Sequence, residues 1–180
     1  MPSNKEAIKY FGVLGLAQTQ VRLHEPTSLW ASLYLEEEQR LKAALGPALL
    51  SVEHYGSTSV GGIKAKPIID ILAGIARLED GPTLTAPLTA LGYEYAGDAV
   101  VPGHHIFGKG TERTHLLHVV EYGSAIWNEA LRFRDALRAA PQLAREYEAL
   151  KISLSEKYAE RRADYTAAKA AFIQSVLDGH

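Results

Sequence analysis

A turn of small residues followed by one acidic residue marks the first half of the sequence. The tetrapeptide GSTS at 56–59 follows the segment LLSVEHY and precedes VGGIKAKPIIDI. Successive backbone N–H groups in such a turn can point at one anion, and the hydroxyls add donors, which suits a phosphate group. The pattern is not a P-loop, because Lys64 and Lys66 have the wrong offset from Gly56 and neither precedes Ser or Thr. It predicts a phosphate-binding turn or an ordinary turn, and the candidate ligands are Gly56, Ser57 and Thr58.

Asp70 lies in the middle of PIIDILAGI, where every neighbour is uncharged. A carboxylate buried in such a run without a partner costs several kcal/mol, so Asp70 is expected to have one. Lys66, Arg113 or a group of backbone N–H donors would serve as a structural partner. A divalent cation, which favours oxygen ligands, is the functional alternative.

Basic residues beside this segment offer further anion ligands. Lys64 and Lys66 could bind phosphate as point charges, and Arg113 could complete an anion pocket with Ser57. The alternative for the lysines is a solvated loop position, or an ion pair between Lys66 and Asp70. The sequence leaves both interpretations open.

Histidines are concentrated in the middle of the chain, where five of the seven occur. If the strands pair as expected, His54, Asp70 and His118 line one edge of the sheet. Such a set suits manganese, zinc or iron better than magnesium. In the alternative interpretation His104 and His105 are loop residues, and His118 is a hydrogen-bonded histidine of the sheet.

The elements that position these residues follow from periodicity. Leucines at helical spacing beside EEEQR predict an amphipathic helix over Leu29–Leu45 that ends at Gly46-Pro47. LLSVEHY and KPIIDILAGI predict two strands, the second buried on both faces. Before them we expect a short helix over 6–16 and a short strand over 19–24.

The second half of the chain changes from strands to helices. GPTLTAPLTALGYEYAG predicts a short helix and a strand with Tyr93 and Tyr95 on one face, and HHIFGKG and THLLHVVEY predict a hairpin. Three apolar stripes after Ser124 predict three helices, with Pro141 between the first two. The fold class is therefore α+β, a mixed β-sheet flanked by helices with a C-terminal helical segment, in one domain over 1–180.

Composition excludes several classes of function. The chain has 180 residues, 47% hydrophobic and 22% charged, with a net charge of -2, so a global attraction to nucleic acid is not indicated. The absence of cysteine excludes disulfides and thiolate chemistry. The longest apolar run near the start, YFGVLGLA, is too short to span a bilayer and lacks a signal-peptide pattern, so we expect a cytoplasmic protein without a membrane partner.

The stretch EHYGSTSVGGIKAKPIIDI resembles the signature of the GrpB family, typically H-x-GSTSV-x-G-x-x-AKP-x-IDI. The similarity extends to FGVLGLAQTQVRLHEPTSLW before it and to RTHLLHVVEYGSAIWNEALRFRDALR after it, and YEALKISL and YTAAKAAFI continue it. It therefore covers nearly the whole chain.

The resemblance implies a nucleotidyltransferase-like fold and its chemistry. In that superfamily a Gly-Ser turn contacts a nucleoside triphosphate, and acidic residues bind two magnesium ions for attack on the α-phosphate. For this chain the expected cofactor is a divalent metal, Mg or Mn, with Zn as the alternative. Gly56 and Ser57 match the turn, Asp70 matches the first carboxylate, and His118 stands where a later strand carries another. Thr58, Lys66 and Arg113 are the further expected phosphate ligands, and His54 is a further expected metal ligand.

The sequence departs from the superfamily pattern at the second carboxylate, because position 72 is Leu. Three interpretations therefore stay open. The first is a metal-dependent nucleotidyltransferase that transfers a nucleoside monophosphate to an acceptor. The second is a phosphate- or nucleotide-binding scaffold without turnover. A structural protein that uses the stripe of Leu143, Leu150 and Leu154 is a third interpretation.

Overall fold

The computed structural model describes residues 12–98 and 101–179 of the chain. The helices are α1 (Leu29–Leu45), α2 (Thr85–Ala90), α3 (Ala125–Ala139), α4 (Pro141–Lys157), α5 (Arg162–Ala168) and α6 (Ala170–Gly179). The strands are β1 (Ser51–Tyr55), β2 (Ile69–Ile75), β3 (Tyr93–Gly97), β4 (His105–Lys109) and β5 (His115–Glu121). Short 3-10 turns cover Gly46–Ala48, Ser57–Ser59 and Leu78–Leu84. The bounds predicted for α1 are confirmed.

The five strands form one mixed sheet in the order β1-β2-β5-β4-β3. Only the central β2 and β5 are parallel, and the other three pairs are antiparallel. The predicted β4–β5 hairpin is confirmed, and so is the α+β class with a mixed sheet flanked by helices. The register pairs Asp70 with Leu116 on one side and with Tyr55 on the other, so these three side chains share a face.

One face of the sheet forms the main hydrophobic core under α1 and α2. Ile69, Ile71 and Ala73 of β2 point to this face, and all three are fully buried. Trp30, Leu33 and Leu41 recur at helical spacing in α1 and pack against them. Tyr93 and Tyr95 share this face as predicted, since Tyr95 contacts Phe107 at 4.8 Å between ring centroids.

A buried ion pair crosses this core. Glu37 of α1 accepts hydrogen bonds at 3.0 and 3.1 Å from Lys109 Nζ at the end of β4, and both residues are buried. Burial alone would raise the pKa of Glu37, but the charges of His115 and Lys109 hold that pKa below its usual range. A depressed carboxyl pKa contributes stability that is present at neutral pH and is lost as the pH falls below about 4.

The opposite face carries Asp70 and is covered by the C-terminal helices. Trp127 of α3 packs on Leu72 and Val120, which are fully buried in the centre of the sheet. A further cluster joins α3 and α4 to the loop after β1 through Val60, Ile63, Leu137 and Tyr147. Leu143 packs against that cluster, and Leu150 and Leu154 are half-buried, so the leucine stripe is not an open apolar face.

Three expected elements differ from the structure. Residues 19–24 do not form a strand, and His24 makes only one isolated bridge, to Ala65. Of the helix expected over 6–16, residues 6–11 lie outside the described residues. Residues 12–14 form a turn and a bend, and Leu16 forms an isolated β-bridge with Arg113. The last predicted helix is two helices, because the chain breaks at Lys169. Among the described helices, none is long and apolar enough to cross a membrane.

Candidate functional site

The turn after β1 touches the acidic residue of β2. Gly56 has φ +69°, and a Cβ built on it would lie 2.6 Å from Asp70 Oδ2 and 2.9 Å from Asp70 Cβ. Glycine is therefore required here for two reasons, the left-handed backbone conformation and the close approach of the carboxylate. The turn itself is closed by Ser59, whose N–H and hydroxyl donate to Gly56 O at 3.1 and 2.6 Å.

Replacing Gly56 with Ala is expected to lower the free energy of unfolding by about 2–4 kcal/mol, since it adds a steric conflict with Asp70 to the backbone strain. Gly62→Ala is the matched control, because Gly62 has φ +78° and no atom within 4 Å of a built Cβ. The control should lose only about 1–2 kcal/mol for the left-handed conformation. Urea unfolding measures both, and equal losses would show that contact with Asp70 has no energetic consequence.

Three cationic side chains act on Asp70. Burial raises the pKa of the Asp70 carboxyl, and the charges of Lys66, Arg162 and Lys169 oppose that rise. Lys66 precedes β2, Arg162 begins α5, and Lys169 lies at the break between α5 and α6. We call Gly56, Ser57, Lys66, Asp70, Arg162 and Lys169 the Asp70 site.

Tyr165 holds the two lysines of the Asp70 site. Its ring is 1% exposed, and the Nζ atoms of Lys66 and Lys169 lie 5.5 and 4.5 Å from its centroid. An ammonium over the face of an aromatic ring is attracted by the ring's quadrupole. The break at Lys169 therefore places a second ammonium beside the one that precedes β2.

The lysines are crowded, and their pKa values are lowered. Burial, followed by the charges of Arg162 and Lys169, lowers the pKa of Lys66 to about 7. Burial lowers the pKa of Lys169 to about 8, although Asp70 opposes that change. Three cations around one half-buried carboxylate leave an excess of positive charge, which a bound anion would relieve.

The C-terminal helices hold the segment between β1 and β2 in place. Glu148 of α4 accepts a hydrogen bond from Lys64 N at 2.5 Å, and Lys151 Nζ donates to Lys64 O. Arg138 of α3 donates to Ser59 O at 3.0 Å. These contacts fix both ends of the loop that carries the turn, so the Asp70 site is preorganised by α3 and α4.

The hydroxyls of the turn have different surroundings. Ser57 is half-buried, and its side chain forms a hydrogen bond with Tyr147, whose pKa burial raises to about 12. Thr58 is buried, and its hydroxyl donates to Ile68 O at 3.3 Å and lies 3.0 Å from His54 Nε2. The Ser57 hydroxyl thus lies at the site, whereas the Thr58 hydroxyl braces the turn against β2.

The expected grouping of His54 with Asp70 and His118 is wrong. His54 pairs with Ile71 in the β1–β2 register, so its side chain points to the opposite face from Asp70. There it stacks on Tyr34 at 4.7 Å between ring centroids, and burial lowers its pKa to about 3. Over residues 12–98 and 101–179, no group of three or more His, Cys, Asp or Glu side chains is arranged to hold a metal ion.

Arg113 lies on the same sheet face as Asp70, two strands away. Its guanidinium covers Gly108, where a built Cβ would meet Arg113 Nη1 at 1.9 Å, and Gly108 pairs with Leu116, the neighbour of Asp70. Arg113 is buried, and its Nη1 atom has no hydrogen-bond partner among the described residues. Burial lowers the pKa of Arg113, the charge of Glu94 opposes that change, and the charge of Arg162 adds to it. Arg113 therefore lies within range of the Asp70 site, but a carboxylate also acts on it.

His118 lies on the same sheet face as Asp70. On β5 it pairs with Leu72, which is two residues after Asp70 on β2. Its Nδ1 atom is 3.2 Å from His104 Nδ1, and its ring meets Tyr55 edge to face at 5.3 Å between centroids. Burial, followed by the charge of His104, lowers the pKa of His118 to about 3, so the imidazole is neutral at neutral pH. His104, expected in a loop, is a direct neighbour of the sheet histidine.

Arg162 and Lys169 are the site residues that sequence reasoning missed. Both belong to the helical segment that was assigned only to packing, about 100 residues after the turn. The lysine in YTAAKAAFI interrupts an apolar stripe, and the same segment continues the family resemblance, but neither signal places Lys169 beside β2. Local patterns cannot show which C-terminal residue reaches a strand so distant in sequence.

Comparisons with known proteins agree with this fold. The family described as GrpB protein matches residues 20–179. Glutamate-rich protein GrpB from Alkalihalophilus pseudofirmus is 37% identical over 172 residues, which cover 92% of this chain and 99% of that protein. The crystal structure of conserved protein GrpB from Enterococcus faecalis is similar with a TM-score of 0.78 and 34% identity, over 86% of this chain and 94% of that one.

One more distant relative is named as an enzyme. Dephospho-CoA kinase from Mycolicibacterium paratuberculosis is 30% identical over 175 residues, which cover 83% of this chain. This chain spans 42% of that protein.

Proposed function

The chain belongs to the GrpB family, and from that premise and the geometry of the Asp70 site we propose that it binds a nucleoside triphosphate together with a divalent metal ion. The phosphate ligands are the Gly56–Ser57 turn, Lys66, Arg162 and Lys169. Arg113, whose buried Nη1 atom is unpartnered, extends the anion site along the sheet. Asp70 is the carboxylate that meets the metal ion of the nucleotide.

The observation that carries this proposal is the excess of cations around one carboxylate beside a glycine turn. Lys66, Arg162 and Lys169 all act on Asp70, and both lysines have lowered pKa values because burial disfavours their charge. Burying several like charges together destabilises the folded chain, and such locally unfavourable features are expected at functional sites. Perturbed pKa values are also typical of functional sites. A triphosphate supplies the negative charge that the cluster lacks.

The donor set fits a metal that arrives with the nucleotide and does not fit a resident pair of metal ions. Asp70 is flanked on its sheet face by Leu116 and Leu72, which cannot coordinate, and no metal-binding cluster occurs in the described parts of the chain. Magnesium retains several waters and is commonly bound through one or two carboxylates plus substrate phosphates. Asp70 would provide that one carboxylate, with Mg²⁺ or Mn²⁺ as the preferred ion.

A thermal-shift screen tests the proposal. The purified protein is measured with ATP, GTP, CTP and UTP, each with Mg²⁺, Mn²⁺ or no metal, beside inorganic triphosphate. We expect at least one nucleotide to raise the Tm by several degrees at millimolar concentration, because a ligand that binds only the folded state stabilises it. If no nucleotide and no triphosphate raises the Tm, the proposal is wrong.

Nucleotide affinity is expected to fall at least tenfold between pH 6.5 and pH 9. Lys66 and Lys169, with pKa values of about 7 and about 8, lose their charge over this range, and a bound phosphate favours the charged forms. Calorimetry in two buffers of different ionisation enthalpy should also show proton uptake on binding at pH 8. Unliganded protein has the opposite trend: its free energy of unfolding rises with pH above 7, because the unfolded lysines bind more protons.

Nucleotidyl transfer is the second candidate, and the contact between the Gly-Ser turn and Asp70 favours it, because the resemblance implies this pairing in transferases. An acceptor hydroxyl would form a bond to the α-phosphorus as the bond to the β-phosphate breaks and pyrophosphate leaves. The neutral imidazole of His118 would take the hydroxyl proton. Pyrophosphate release from the nucleotide found in the screen, lost in His118→Asn, is the expected result; binding without release identifies a module without turnover.

The relative named dephospho-CoA kinase supports phosphate chemistry only through its name. That name describes an enzyme that acts on dephospho-CoA. Dephospho-CoA is therefore a rational acceptor to include in the transfer assay, beside an assay without added acceptor.

A further inference from the structure

The sheet face of Asp70 also carries a pair of histidines that phosphate binding does not use. His104 and His118 lie 14 residues apart in sequence, and their Nδ1 atoms are 3.2 Å apart. The two rings are nearly perpendicular, at 80°, with centroids 5.2 Å apart. This geometry brings the same ring nitrogen of both histidines to one point.

The distance between the nitrogens matches two ligands of one metal ion. Zinc–imidazole bonds are about 2.0–2.1 Å long, so two nitrogens at an angle between about 90° and 110° are about 2.9–3.4 Å apart. The observed 3.2 Å lies inside that range. A hydrogen bond between two neutral imidazoles has a similar length, with one Nδ1 donating and the other accepting.

The surroundings hold both rings in position. His118 is fixed by the sheet and by the edge contact of Tyr55, and His104 follows a turn closed by its own N–H donating to Val101 O at 3.1 Å. Both residues are half-buried. Neutral imidazole, the form that binds metal, is the main form of an ordinary histidine at neutral pH.

We propose that His104 and His118 form a binding site for one first-row transition ion, with zinc as the reference ion, separate from the metal that accompanies the nucleotide at Asp70. The chain supplies two Nδ1 ligands, and water or a ligand oxygen completes the coordination. An imidazole whose Nδ1 binds zinc and whose Nε2 carries the proton has no free basic nitrogen, so the zinc-bound protein lacks the base that the second candidate function assigns to His118. Imidazole ligands favour zinc, nickel and copper over magnesium and calcium. The site therefore discriminates by ligand chemistry against the magnesium that Asp70 would accept.

Zinc titration of the metal-free protein tests the site without any nucleotide. By calorimetry we expect one zinc ion per chain, and a Kd at least tenfold higher in His104→Ala. In His118→Asn we expect the same loss, while Asp70→Asn and His24→Gln should change the Kd less than twofold. His104 lies in a turn, so His104→Ala stays informative even if His118→Asn does not fold.

Nitrogen NMR of the imidazoles gives an independent readout. In the metal-free protein one of the two Nδ1 atoms carries a proton, whereas zinc at both Nδ1 atoms requires both protons on Nε2. The expected result is a shift of both Nδ1 resonances with one equivalent of zinc and none with excess magnesium. Zinc binding that survives His104→Ala, or is lost in Asp70→Asn, overturns the proposal, and so does the absence of binding. None of these results depends on whether the protein binds nucleotide.

Discussion

Removal of both lysine charges from the Asp70 site, in Lys66→Met/Lys169→Met, should weaken nucleotide binding at least a hundredfold. Each ammonium that donates to a phosphate is worth about 1.5–3 kcal/mol, and about 1.4 kcal/mol corresponds to a factor of ten in Kd. Methionine keeps the length and apolar stem of lysine and can pack on Tyr165, whereas the attraction of each ammonium to the Tyr165 ring is lost. The measurement is calorimetric titration at pH 7 with the nucleotide identified in the screen.

The matched control is Lys42→Met, which removes an exposed lysine on α1, on the other side of the sheet. The control should bind nucleotide within twofold of the wild type. Both variants should unfold in a single cooperative transition, which separates loss of affinity from loss of structure. An unchanged Kd in the double variant would show that the lysines do not contact the ligand.

The variant Lys109→Ala should lower the free energy of unfolding by about 3–5 kcal/mol, the usual cost of leaving one partner of a buried ion pair uncompensated. Glu37 is 1% exposed and receives two hydrogen bonds from Lys109, so the variant removes the only buried ammonium that pairs with it among the described residues. His115 and a hydrogen bond from Tyr93 still act on the carboxylate in the main core. Chemical denaturation at pH 7 measures the loss.

The double variant Glu37→Leu/Lys109→Met controls for the charge. Apolar replacement of both partners of a buried pair is often nearly neutral, so most of the lost stability should return. If the double variant is as unstable as Lys109→Ala, the lost free energy of unfolding comes from packing and not from the uncompensated charge. Arg40 also contacts Glu37, at 3.4 Å, and its partial exposure makes it a weak substitute for Lys109.

The backbone plan was largely predictable from the sequence because its signals are local. The leucine spacing and the Gly-Pro stop defined α1, and the glycine-bounded apolar runs defined β1, β2 and the β4–β5 hairpin. The turn at 56–59 and Asp70 were recognised together, and the structure brings them into contact. By contrast, the segment TQVRLH at 19–24 is not part of the sheet: His24 bridges to Ala65, and Val21 N donates to Ala159 O.

The site was only partly predictable because its other members depend on tertiary placement. The face to which His54 points depends on the β1–β2 register, and one residue of register moves a side chain to the opposite face. The packing of α5 and α6 brings Arg162 and Lys169 near enough for their charges to act on Asp70, and no short motif encodes that packing. His104 was assigned to a loop, and only the folded chain brings it to His118.

The central claim is that Asp70 meets a metal ion carried by the nucleotide, and titration of nucleotide with and without Mg²⁺ tests it most directly. In the wild type, Mg²⁺ should strengthen nucleotide binding at least tenfold. In Asp70→Asn this dependence should vanish, while metal-free binding is retained or improved because a negative charge has left the phosphate site. The same dependence on Mg²⁺ in both proteins, or no nucleotide binding by the wild type, would contradict the account.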